Sequence, residues 1–385
     1  MRLRDWRQYA GARRALQDKS IGPTAFQGEI SVKTKHVLAL VVSFLLFIAC
    51  AASAAAAPFL VRASGQPCLH GLPNWQAIEE NWTKGTPIEL KYLLFTSGSP
   101  QVEALSAGEW DVGDIGATGG LVASMRFGAL IIGVSNDESE TNDLWVRPDS
   151  PLLKNKGANP KFPEIIGTAE DWKGKQILAT TVSTGHYALS STLKDLGLKD
   201  SDVKIVHMEQ GQALAAFTAG EGDIVQLWAP SSYIAESNGW VKVSSGRRAG
   251  VNVPGCIIVR KEFAEKYPDM VVEWLDLYMR GIENMKNDPE GNKDVLHTYF
   301  TDYCGMELSK ENVAKEFKLR PLYNVKEEVE LLTNPDKLPA WMRGVAQFML
   351  SQGRITQQEY DKYVQANCYV DPKFMKMLEE KRAHK

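Results

Sequence analysis

The sequence predicts an α/β protein of two similar lobes, each built on a parallel-type sheet, and three observations carry that prediction. The first is a repeat. Ala104–Val112 reads ALSAGEWDV and Ala216–Ile224 reads AFTAGEGDI, two copies of A-[L/F]-[S/T]-A-G-E-x-D-[V/I]. In each, a short helix ends on a glycine (Gly108, Gly220) suited to the left-handed turn that closes a helix, and an apolar strand follows, Val112–Gly116 or Ile224–Trp228. The second observation is that a strand-like segment precedes each copy, Ile88–Phe95 or Val203–Met208. The unit is therefore strand–helix–strand, which suits parallel neighbours joined by a right-handed crossover. The third is length, since 385 residues suffice for two domains and a leader. Two such lobes enclose a cleft, a common place for a small ligand.

Charge and motifs remove several classes of function. Residues 1–57 hold eight Lys/Arg against three Asp/Glu, which leaves 36 against 44, or −8, for the rest of the chain. An acidic body without a basic run argues against nucleic acid as a partner. Residues 1–31 form an Arg-rich arm. Lys33 and Lys35, the apolar run Val37–Ala49 and the small residues around Ala52-Ser53-Ala54 make a signal peptide within residues 32–57. An uncleaved anchor over Val37–Ala57 is the alternative. Of the cysteines beyond the leader, Cys304 and Cys368 share the C-terminal region and form the expected disulfide, with Cys68–Cys256 the second pair. No C-x-x-C and no His/Cys cluster supports a metal, no cofactor motif is present, and no G-x-S-x-G, P-loop or H-E-x-x-H points to an enzyme.

Taken in order, Pro67–Pro73 is a loop and Asn74–Asn81 a short helix, and Ile88–Phe95 is the first strand. Ser99 and Pro100 suit the N-cap and first turn of the next helix. Gly116–Gly120 opens another helix, Leu130–Val134 is a buried strand, and a polar run leads to Leu144–Val146. Lobe two begins near Gln176–Thr180. Its helix carries Leu189, Leu193 and Leu196 on one face and stops at Gly197. Val251–Arg260 reads as a strand returning to lobe one, and helical patterns fill the remainder. The expected division is 1–57, basic arm and signal peptide; 58–172, lobe one; 173–250, lobe two; 251–385, the return strand and C-terminal helices of lobe one.

Ligands of parallel sheets sit beyond the carboxyl ends of strands, where loops feed helix N-termini. Six loops qualify: 96–99, 116–119, 135–138, 181–186, 209–212 and 226–230. Four are Gly/Ser/Thr-rich, which suits an anion, and none holds Lys or Arg, which favours a singly charged sulfonate, carboxylate or nitrate over a phosphate. His186, in the first turn of its helix, is a neutral hydrogen-bond donor or a capping histidine. Trp228 walls the cleft or joins the core. Asp137 and Glu138 follow a strand's carboxyl end, as a solvated turn or as a partner for a ligand ammonium. By alternation only one of the two faces the cleft; Asp137 is the candidate and Glu138 its control.

From Ile88 onward the chain resembles periplasmic solute-binding proteins of the nitrate/sulfonate/taurine ABC-importer family. The resemblance is carried by Ser97-Gly98-Ser99-Pro100, Ala107-Gly108-Glu109, Ile115-Gly116-Ala117-Thr118, Gly185-His186-Tyr187 and Gln226-Leu227-Trp228-Ala229-Pro230. It implies a two-lobed periplasmic binding protein of type II, with a hinge and a C-terminal helical block. Such a protein is a monomeric periplasmic binder, not an enzyme, that delivers a small anionic or zwitterionic ligand such as taurine to an ABC permease in the inner membrane. The implied contacts are Ser97, Gly98, Thr118, Thr184, His186, Gln210 and Trp228. The family often has an acid before the last Pro, where this chain has Ala229, which strengthens the case for Asp137 or Glu138. The alternatives are a pyrimidine-precursor-type enzyme of the same fold or an exported ligand sensor.

Overall fold

The structure, a computed structural model, describes residues 57–367 and 369–384; the basic arm, the signal peptide with its anchor alternative, and Cys368 lie outside them. The described strands are β1 (Phe59–Gly65), β2 (Ile88–Leu94), β3 (Val112–Gly116), β4 (Leu130–Asp137), β5 (Asn142–Val146), β6 (Gln176–Ala179), β7 (Lys204–His207), β8 (Ile224–Trp228), β9 (Val241–Ser245) and β10 (Pro254–Val259). They form two five-stranded sheets, ordered β2-β1-β3-β10-β4 and β7-β6-β8-β5-β9. The two orders match place for place. In each sheet the first three strands are parallel, and the fourth is an antiparallel strand supplied after the chain has visited the other sheet. The sheets are therefore mixed, not purely parallel.

The repeat behaves as its residues predict. Gly108 and Gly220 take φ of 71° and 95°. The Glu109 N–H donates to the Ala104 carbonyl and that of Glu221 to Ala216, each at 3.0 Å. The aspartates complete the turn in the same way. Asp111 accepts from the backbone N–H of Arg62 on β1 and Asp223 from that of Gln176 on β6, at 3.3 and 2.8 Å. Each ties the start of its strand to the neighbour.

Three expectations are corrected. β1 was not read as a strand, because it directly follows the alanine-rich leader, yet it stands between β2 and β3. β4 runs on through the polar residues Ser135–Asp137, which pair with β10 and are buried. β5 pairs with β8 and β9, so the chain passes between sheets at residues 138–141 instead of near 172, and returns before β10.

The helices used below are α1 (Leu72–Glu79), α2 (Gly98–Ser106), α3 (Ala117–Phe127), α4 (Thr184–Asp195), α5 (Gln210–Thr218), α6 (Ser231–Ser237), α7 (Pro268–Asn287), α8 (Pro289–Thr298), α9 (Lys310–Leu319), α10 (Val325–Thr333), α11 (Leu338–Ser351) and α12 (Lys373–Ala383). α10 and α12 were not foreseen. α7 shows why this block packs: Val271, Trp274, Leu275, Tyr278, Ile282 and Met285 recur at helical spacing and are all buried. The expected Cys68–Cys256 disulfide does not form, both being free thiols, and the Cys304–Cys368 expectation rests on Cys368, which lies outside the described residues. The Cys68 thiol instead donates to the Ala229 carbonyl at 3.7 Å.

One buried acid in this block gives a stability prediction. Glu328 is fully buried, its Oε2 accepts from the Val134 N–H at 2.8 Å, and its Oε1 has no hydrogen-bond partner. Burial raises its pKa well above the ordinary 4.5. Its contribution to stability is thus complete below about pH 4.5 and is lost as pH climbs toward the raised folded value. Glu328→Gln should raise the melting temperature at neutral pH. The advantage should grow with pH by up to about 1.4 kcal/mol per unit. Parallel pH–melting curves for variant and parent would refute this.

Candidate functional site

A cavity of about 320 Å³ opens between the carboxyl ends of the two sheets, lined by residues from both. Three helix N-termini meet there. α2 contributes Ser97, Gly98 and Ser99, α3 contributes Gly116, Thr118 and Gly119, and α4 contributes Ser183 and Thr184. α2 starts at Gly98 with Ser97 as N-cap, two residues ahead of the expected Ser99 cap. The Ser97 hydroxyl makes no capping bond and is buried without a partner. Gly98 lies beside α3, where a Cβ built on it would meet the Gly119 Cα at 3.8 Å, an ordinary van der Waals contact. Free N–H groups and the positive ends of three helices therefore face one small volume, which suits an anion.

Of the expected site residues, Ser97, Gly98, Thr118, Thr184 and Trp228 line the cavity, while Asp137, His186 and Gln210 do not. Gln210 acts from behind. Its Nε2 donates to Thr180 Oγ1 at 3.1 Å and its Oε1 accepts from the Trp228 N–H at 2.8 Å, bracing two lining loops. The Asp137 carboxylate is taken up by the Ser139 N–H (2.8 Å) and by Arg247 Nη2 (2.8 Å). Of the neighbouring pair it is Glu138, the intended control, that lines the cavity, and Glu103 of α2 lines it as well. Strict alternation does not carry to this point, because the pairing with β10 shifts register at Ser135 and β4 ends at Asp137, one residue before Glu138.

Glu138 belongs to a buried cluster of charges. Its Oε1 lies 3.3 Å from Arg320 Nη1 and 3.7 Å from His70 Nε2. Arg320 also meets Glu316 at 3.0 Å and donates to the Ala229 carbonyl at 3.0 Å. His70 Nδ1 lies 2.9 Å from Asp114, which accepts in turn from Asn74 at 3.1 Å. Burial works against a charged imidazole at His70, but the adjacent Asp114 outweighs it and holds the pKa well above the usual histidine value. Burial likewise raises Glu316, opposed by Arg320. With every acid ionised, three acids face two bases, one positive charge short.

Gln66, Cys68 and His70 line the cavity from the segment after β1, and Asn142 from the start of β5. Sequence reading missed them because neither β1 nor the early passage between sheets had been recognised. Arg126 stands at the rim, though its guanidinium pairs with Glu359 at 2.5 Å. Among the described residues no group of three or more His, Cys, Asp or Glu side chains is placed to hold a metal ion.

A family profile described as NMT1/THI5 like matches residues 163–292. A putative ABC transporter periplasmic binding protein of Brachyspira hyodysenteriae is 27% identical over 332 residues, 86% of this chain and 94% of that protein. The taurine-binding periplasmic protein of Escherichia coli is 28% identical over 198 residues, which span 50% of this chain and 56% of the relative's length. The crystal structure of the periplasmic aliphatic sulphonate binding protein of Escherichia coli superposes with a TM-score of 0.62 at 17% identity, covering 83% of this chain and 92% of that one. At that identity the likeness is one of fold.

Proposed function

We propose, from the premise that this chain is a member of the nitrate/sulfonate/taurine family of ABC-transporter solute-binding proteins, that it captures a small sulfonate-type anion or zwitterion between its two sheets. The observation that carries this reading is the cavity itself, lined by three helix N-termini, two from the first sheet and one from the second, and by Glu138. The N-termini suit a sulfonate; Glu138, in a cluster short of one positive charge, suits an ammonium two carbons away, as in taurine. The lobes we propose are residues 58–137 with 254–385, and 142–245, hinged where the chain passes between the sheets at 138–141 and 246–253. Closure about that hinge traps the ligand. The protein acts in the periplasm after export, as a monomer, and hands its ligand to a membrane permease.

A thermal-shift screen on ligand-stripped protein tests this. Taurine, other sulfonates, nitrate, carboxylates and amino acids are compared, and a ligand at a hundredfold excess over its Kd should stabilise by about 2.7 kcal/mol. If none of them shifts the transition, the binder reading fails.

A second reading has one observation in its favour. Cys68 and His70 line the cavity with thiol and imidazole in contact, and Asp114 stands behind His70 at 2.9 Å, an arrangement that thiol-dependent enzymes use. Turnover of a bound sulfonate or sulfinate that disappears in Cys68→Ser would favour it, and recovery of the ligand unchanged after long incubation speaks for the binder.

A further inference from the structure

The loop that enters α4 contains a strained residue. Val182 has φ of 59°, a left-handed conformation that a β-branched side chain rarely adopts. Its neighbours Thr181, Ser183 and Thr184 line the cavity with it, so the shape of this loop is the shape of one wall. Strain of this kind persists only where surrounding contacts enforce it.

Ser183, which bonds the Thr180 carbonyl and caps α4, and His207, which accepts from the Thr181 N–H, hold the loop on either side, and His186 is the side chain that bonds Val182 itself. The Val182 N–H donates to His186 Nδ1 at 3.1 Å. Because Nδ1 accepts there, the ring hydrogen sits on Nε2, which donates to Asp200 Oδ2 at 2.9 Å. Asp200 is held in turn by the Ser190 hydroxyl at 2.8 Å and by Gln352 Nε2 at 2.9 Å. Gln352 caps the C-terminus of α11, and Phe348 of the same helix sets its ring edge-on to the imidazole at 5.2 Å. The route thus runs from the C-terminal helical block to Asp200, to His186, to Val182, and ends at the cavity wall. His186, Asp200 and Gln352 do not line the cavity; they line a separate cleft behind it.

We propose that His186 is a positioning residue, the middle of a relay that makes the cavity wall 181–184 adopt its ligand-ready shape when α11 of the first lobe is seated against the second. This deepens the binding role proposed above and rests on it, and it denies His186 any contact with the ligand. Two substitutions separate its halves. His186→Asn keeps an acceptor where Nδ1 stands and abandons Asp200, whereas His186→Gln keeps a donor toward Asp200 and abandons the Val182 N–H.

Hydrogen exchange by mass spectrometry on the ligand-free full chain reads the relay directly. Peptides covering 180–185 should exchange about five- to tenfold faster in His186→Gln and His186→Ala than in the parent, and stay nearly protected in His186→Asn. Gln352→Ala should loosen the same peptides to a lesser degree, with the remaining peptides unchanged. Calorimetry with taurine and with ethanesulfonate forms the second arm. His186→Ala should weaken both by the same factor, and Val182→Gly in that background, which removes the strain, should restore part of the loss. Unaltered exchange at 180–185 in His186→Ala would overturn the relay. So would a loss of binding confined to one of the two ligands, the mark of direct contact. If the parent binds neither compound, the sulfonate reading fails, while the exchange arm still decides the relay.

Discussion

Glu138→Gln is expected to weaken binding of an aminated sulfonate by two to three decades in Kd while leaving or improving that of its deaminated analogue. Glu138 lines the cavity, as Glu103 does, and belongs to a buried cluster of three acids and two bases in which burial raises the pKa of Asp114 and Glu316, so a ligand ammonium there would meet a carboxylate partner. Removing one partner of a buried charge pair typically costs about 3–5 kcal/mol. Arg320 keeps Glu316 at 3.0 Å in the variant, which limits damage to the fold. Asp137→Asn supplies the contrast: its carboxylate serves Ser139 and Arg247 where the chain passes between the sheets, so any effect should fall equally on both ligands. Titration calorimetry with taurine and ethanesulfonate gives the answer, and equal losses for the two ligands in Glu138→Gln would refute the zwitterion assignment.

The second large effect is expected at Gly116. Its φ of −62° and ψ of 154° suit any residue, so its backbone does not demand glycine. What excludes a side chain is the other lobe, because a Cβ there would stand 2.5 Å from Thr184 Oγ1. Thr184 is β-branched and lies in the first turn of a helix, so it yields poorly. Gly116→Ala should hold the lobes apart at a cost of about 1–3 kcal/mol, or about five- to a hundredfold in Kd, with little change in the melting temperature of the ligand-free protein. Gly116→Ala/Thr184→Ala should bind as well as Thr184→Ala alone. Without that rescue, steric contact across the cleft is not the cause.

Much of the cleft was legible before the structure. Ser97, Gly98, Thr118, Thr184 and Trp228, the contacts that the family resemblance implied, all line the cavity, since loops between a strand's carboxyl end and a helix gather at that edge of the sheet. Gln210 and His186 do not line the cavity and bond to the loops behind its wall. A hydrogen-bonding side chain in a first turn can reach forward to a ligand or back to its own loop, and only its partners decide. For His186 those partners are Val182, next in its loop, and Asp200, which is braced by a helix more than 150 residues downstream.

The division follows the range of the forces involved. Local pattern was enough for the repeat, since a left-handed glycine and a turn aspartate act within a few residues, and both copies bond alike. It was enough too for the loops that open α2, α3 and α4, which depend on capping and on glycine. Tertiary structure alone decided that β1 joins the first sheet and β5 the second, because strand pairing is a contact between distant segments and short apolar runs do not name their neighbours. It also decided that Glu138 and not Asp137 meets the cavity: Asp137 is the last residue of β4 held against β10, a strand more than a hundred residues away, and Glu138 stands just beyond that pairing.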